Sequence, residues 1–148
     1  MIKPSRRFWW FVAASTAMWL LWMTMRPNPE VSQELQPITQ PVDEEIIPPG
    51  VLINVLGNVV VFLPLGGSIA LALDPDRKVT SLRWGIAVGS GALLSAIIEL
   101  TQLTLPSRVT SFQDWLLNTL GTALGAGVAL LAQRLLERRT SEVSAYQS

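Results

Sequence analysis

The chain contains no cysteine and no histidine. Without cysteine there is no disulfide framework, no thiolate nucleophile and no cysteine metal site. Without histidine the commonest metal ligand and the commonest general base near neutral pH are both missing. Ordinary zinc centres and Ser-His-Asp machinery are therefore excluded, and neither a metal nor a cofactor is expected. Charge is scarce too, at 15% of residues against roughly 25% in an average soluble domain. The 11 basic and 11 acidic side chains balance. They cluster in short flanks, which gives no basic face for nucleic acid.

What remains is apolar: 49% of the 148 residues are hydrophobic and the mean hydropathy is +0.38. Four stretches stand out. Residues 8–25 carry no charge, follow Lys3, Arg6 and Arg7, and lack a small-x-small cleavage site, so they read as an uncleaved first helix. Trp9, Trp10, Trp19 and Trp22 suit aromatic belts near its ends. Residues 51–73 are apolar apart from Asn54, Asn58 and Ser68, and Pro64 predicts a kink or opening at the carbonyl of Val60. Residues 84–105 begin with a small-xxx-small face at Gly85 and Gly89, which predicts close helix approach. Residues 114–131 repeat the device with Gly121, Gly125 and Gly127.

These stretches predict an all-α membrane protein, a bundle of four transmembrane helices. Residues 1–25 form an N-terminal tail and first helix, and 26–50 a Pro-rich acidic extracytoplasmic loop. Residues 51–133 form a three-helix core, and 134–148 a polar cytoplasmic tail expected to fray. Lys3, Arg6, Arg7, Arg77, Lys78, Arg83, Arg134, Arg138 and Arg139 all fall on one side, leaving Arg26 and Arg108 on the other. The positive-inside rule then makes both termini cytoplasmic and the protein a multi-pass component of the plasma (inner) membrane.

In that topology the polar residues of three helices share one depth. At ~1.5 Å rise per residue, Asn54 and Asn58 lie about 5 and 10 Å below the outer surface, Gln102 and Glu99 about 5 and 9 Å, and Asp114 and Asn118 about 3 and 9 Å. Asn54/Asn58 and Asp114/Asn118 are i,i+4 pairs and Glu99/Gln102 an i,i+3 pair, so each pair is expected on one helical face. Ionisable groups at such depth mark functional sites unless they are internal glue. Arg108, on the connecting loop, is the nearby cation, able to neutralise Glu99 or Asp114 or to grip an anionic group.

At these residues the sequence resembles the VanZ-like family of small integral membrane proteins. The resemblance rests on Asn58, Phe62-x-Pro64-x-Gly66, Ser95 with Glu99 and Gln102, Arg108, Asp114 and Asn118, and the spaced Gly121 and Gly125. It covers about residues 50–132, and the first helix by position alone. The chain departs from the family pattern at Ser111, where many members carry an acid, and near Asn54, where some do. The resemblance implies a role in the cell envelope, since the name member is associated with resistance to the glycopeptide teicoplanin, although relatives occur widely without that role.

Two functions compete. In the first, Asn58, Glu99, Gln102, Arg108, Asp114 and Asn118 form an outer-leaflet pocket for the head group of a membrane lipid or lipid-linked cell-wall precursor, or for a glycopeptide, in an accessory or resistance-type role. In the second, Glu99 and Asp114 are the catalytic carboxylates of a membrane-embedded hydrolase or transferase acting on a lipid-linked substrate, with Arg108 stabilising developing negative charge. Transport is less favoured, because the inner halves of the stretches hold no comparable polar relay. A homo-oligomer or a partner membrane protein is compatible with either function.

Overall fold

A computed structural model of the chain describes residues 4–25, 49–73, 80–104 and 111–146, with side chains from residue 55 in the second of these segments and up to 141 in the last. The Pro-rich loop 26–48, Arg108 and the side chain of Asn54 lie outside that description.

The described residues form four helices: α1 (Arg6–Thr24), α2 (Pro49–Ala72), α3 (Thr80–Gln102) and α4 (Phe112–Tyr146). Ser5 caps α1, its hydroxyl accepting from the amide of Phe8 at 3.3 Å, which satisfies one orphan donor of the first turn. α2 starts with Pro49 at its first position, where the missing amide costs nothing. It then continues through Pro64, whose ring is exposed. Unlike the frayed tail expected beyond Arg134, α4 continues without a break to Tyr146. Gln133 and Glu137 bridge one turn there at 3.0 Å, and i,i+4 bonds of this kind support a polar helical face.

Three helices are long and apolar enough to cross a membrane, over Val55–Ala72, Thr80–Gln102 and Phe112–Ser141. α1, which includes Arg6, Arg7 and four tryptophans, is not one of the three. The outside of the bundle is itself apolar. Phe11, Leu93 and Val128 are each about two-thirds exposed, which is the surface a bilayer solvates and water does not.

α2 and α4 run parallel and form the tightest seam. A Cβ built on Gly121 would collide with the carbonyl of Val59, one on Gly125 with the carbonyl of Leu63, and one on Gly66 with the backbone of Thr122. Backbone meets backbone here because small residues let it, which is how helices associate without a hydrophobic driving force. α3 runs antiparallel to both, and Gly91 abuts the side chain of Thr122. A Cβ built on Gly85 or Gly89, expected to form a packing face, would meet nothing within 4 Å among the described residues. α3 instead turns Ala87, Gly91, Ser95 and Ile98 inward, a neighbouring stripe of the same helix.

The core comprises Leu20, Phe62, Leu65, Ile69, Ala87, Ile98, Ala126 and Leu130, with smaller contributions around them. At the end where α1 and α3 begin, two arginines from different helices reach the last carbonyls of α2. Arg6 Nε donates to Ala72 at 3.2 Å and Arg83 Nη2 to Ala70 at 2.7 Å. Cations at a helix C-terminus offset its dipole. Arg83 is only 5% exposed and also donates to Gln133 Oε1 at 3.0 Å, so it is a buried cap joining three helices as well as a flanking charge.

Candidate functional site

The opposite end, where α3 finishes and α4 starts, gathers the polar residues in two layers. The upper layer centres on Ser111, immediately before the first residue of α4. Its hydroxyl accepts from the amide of Asp114 at 3.3 Å, as an N-cap does for the residue three positions on. The sequence Ser111-Phe112-Gln113-Asp114 is the pattern of a capping box, in which the acid would return a bond to the cap's own amide. Here that return bond comes from another helix: Glu99 Oε2 of α3 accepts from the Ser111 amide at 2.9 Å. Asp114 is thereby released, and its Oδ1 accepts from Asn58 Nδ2 of α2 at 3.0 Å. Three helices are tied at one point.

The lower layer is sealed. Asn118 Nδ2 donates to Ser95 Oγ at 2.9 Å, and Thr122 Oγ1 donates to the Asn118 carbonyl at 3.0 Å. Asn118 is 5% exposed, and Ser95 and Thr122 are fully buried. Among the described residues Asn118 Oδ1 has no hydrogen-bond partner, an uncommon state for a buried acceptor.

Beside the upper layer the surface opens into a groove of about 300 Å³ lined by Ala96, Glu99, Leu100, Ser111, Phe112 and Trp115. Phe112 and Trp115 stack with ring centroids 5.5 Å apart, and the Trp115 indole donates to the Ala92 carbonyl at 2.9 Å. One wall of the groove is thus a carboxylate and the other a fixed aromatic pair.

Four of the expected residues therefore fall into the cluster: Asn58, Glu99 and Asp114 above, Asn118 below. Gln102 diverges from Glu99 despite their i,i+3 spacing. Its Nε2 donates to the carbonyl of Thr24 at 3.4 Å, at the end of α1 rather than toward α4. A separation of three residues leaves two side chains ~60° apart around the helix, and here the two are drawn to different neighbours. Spacing alone does not mark Ser95, Ser111, Trp115 and Thr122 as site residues; for Ser111 the capping pattern is the available signal. Among the described residues no group of three or more potential ligands is arranged to hold a metal ion.

An apolar-surfaced bundle of long helices, with its polar groups turned inward at one end, defines a helical integral membrane protein. The family model described as VanZ/LLP1 matches residues 8–133, and the chain belongs to that family. The match takes in α1 as well as the three-helix core. No curated protein and no solved structure matches the chain.

Proposed function

We propose that the chain crosses the plasma membrane four times with both termini cytoplasmic, and that its Ser111-centred cluster binds the head group of a lipid or lipid-linked cell-envelope precursor from the outer leaflet. The orientation follows from the excess of Lys and Arg at the end where α1 and α3 begin. One observation carries the binding reading. Glu99 borders a groove open at the surface of the bundle, whereas a carboxylate serving as glue alone would be enclosed like Asn118. The groove is amphipathic, as a head group joined to acyl chains requires. Arg108, expected on the adjoining loop, supplies the positive charge for a phosphate or carboxylate. An accessory or resistance-type role, glycopeptide resistance included, is an extension of the family resemblance.

The test is native mass spectrometry of protein gently extracted from its own membrane, beside Glu99→Gln and Arg108→Ala. The wild type is expected to retain a defined lipid or precursor that both folded variants lose. Identical lipid profiles in all three proteins would overturn the reading.

A second reading, a membrane-embedded hydrolase or transferase, draws on two carboxylates in one layer, Glu99 accepting from the Ser111 amide and Asp114 from Asn58. Glu99 would act as general acid or base and Asp114 as the second carboxylate. Turnover of a lipid-linked substrate that vanishes in Glu99→Gln while binding persists would favour it. A continuous transport path is disfavoured. Between Thr122 and Gln133, about 16 Å along α4 at ~1.5 Å per residue, that helix buries Ala126 and Leu130.

A further inference from the structure

The groove beside Ser111 carries a negative charge that no described basic side chain reaches. Glu99 belongs to a helix long and apolar enough to cross a membrane, where an ionised carboxylate is costly without partners. Its Oε2 accepts the amide of Ser111, and among the described residues its Oε1 has no hydrogen-bond donor. Asp114, the other acid of this layer, is engaged by Asn58. The described basic side chains are all arginines of the opposite end: Arg6 and Arg7 at the start of α1, Arg83 at the start of α3, and Arg134, Arg138 and Arg139 late in α4. Arg26 and Arg108, like the acids of the 26–48 loop, lie outside the described residues.

The opposite wall favours the same kind of charge. Ala92, Ala96 and Glu99 follow one another on one face of α3, at helical spacings of four and three. The Trp115 indole is pinned to the Ala92 carbonyl, and Ala96 is too small to fill the groove between that ring and Glu99. Phe112 stacks on Trp115 with an interplanar angle of 22° and is 73% exposed. The face of an aromatic ring is its negative part and attracts a cation held within about 6 Å of its centroid. A carboxylate and two fixed rings around one apolar space thus complement an ammonium group. A primary ammonium adds what a quaternary one lacks, N–H donors for the open carboxylate oxygen.

We infer that the head group taken by this groove is that of a phospholipid with a primary amine, phosphatidylethanolamine, its ammonium on Glu99 and against Phe112 and Trp115. The inference rests on the head-group reading above and leaves the phosphate to Arg108. The experiment is reconstitution of the purified protein in vesicles of equal phosphatidylethanolamine, phosphatidylglycerol and phosphatidylcholine with matched acyl chains, then mild re-extraction and quantification of the lipid that stays bound. The wild type is expected to enrich phosphatidylethanolamine about tenfold over phosphatidylglycerol, of the order of one desolvated cation on an aromatic face. Glu99→Gln should abolish the enrichment while its amide oxygen still accepts from Ser111, and Phe112→Leu should reduce it severalfold in a protein whose charges are unchanged. Leu93→Ala, on an exposed part of α3, should keep it. Enrichment that survives Glu99→Gln, or is undiminished in Phe112→Leu, overturns the assignment. If phosphatidylcholine is retained as well as phosphatidylethanolamine, the site reads positive charge alone and the primary amine falls. Selective retention of phosphatidylglycerol would overturn the ammonium and leave the head-group reading standing, whereas retention of all three in vesicle proportions would overturn both. Excess free ethanolamine should leave the lipid in place; if it strips the lipid, the site reads the amine alone and the phospholipid assignment falls.

Discussion

Glu99 of α3 completes the N-terminal cap of α4, accepting the amide of Ser111 at 2.9 Å in the position where a capping box would use Asp114 of the same helix. The exchange couples two functions of one layer. It closes the start of α4, and it frees a carboxylate to reach α2.

Ser111→Ala should cost about 1 kcal/mol, the usual worth of an N-cap hydroxyl, and leave the Glu99 bond intact because that bond is to backbone. Ser111→Pro removes the amide as well and should cost more than Ser111→Ala. Thermal unfolding in a mild detergent checks the order. Equal stability of the two variants would mean that Glu99 contributes nothing to the cap.

The Asn58–Asp114 bond predicts a charge-swap result. Asn58→Asp sets two carboxylates against each other across the α2–α4 seam and should destabilise the fold. Adding Asp114→Asn restores one donor amide and one acceptor carboxylate, and should recover most of the loss. A single interhelical bond of this type is worth about 0.6 to 1.7 kcal/mol in a membrane bundle. A double variant no better than Asn58→Asp would show that the two side chains do not interact.

Glycines of the same appearance should respond in opposite ways. Gly125→Ala drives a methyl into the carbonyl of Leu63 and should cost about 1–3 kcal/mol, as overpacking does. Gly89→Ala meets open space and should be neutral or mildly stabilising. Unfolding of the two variants side by side decides the matter, and equal sensitivity would contradict the seam.

Arg83→Leu removes the bonds to Ala70 and Gln133, and thermal unfolding in a mild detergent measures the effect. The expected loss is about 1.5–3 kcal/mol, typical for hydrogen bonds to a charged group. Arg83→Lys can reach one partner but lacks the fork that holds both, so it should fall between wild type and Arg83→Leu.

Much of this was legible in the sequence because the bilayer leaves few choices. Uncharged stretches mark the helices, and polar residues at common depth find one another, as Asn58, Glu99, Asp114 and Asn118 do. Spacing says which residues share a face but not which face has a neighbour. That is why Gly85 and Gly89 looked like a seam while Gly91 was the contact, and why Gln102 was grouped with Glu99 instead of with Thr24. In the sequence Arg83 is a topology signal, as a basic residue next to a helix usually is. It is buried and bonds Gln133, fifty positions away, and no local pattern contains that. The tail beyond Arg134 looked too polar to pack, yet a helix needs only its own backbone bonds to continue.

The α2–α4 seam joins helices that are not neighbours in the chain. While the protein is being made, the ridge formed by the Val59 and Leu63 carbonyls must wait through the whole of α3 before Gly121 and Gly125 arrive. Assembly of the bundle is therefore a terminal event, governed by delivery of the last helix. A chain interrupted before Gly121 would leave α2 with its best surface unclaimed, a ready substrate for membrane quality-control proteases.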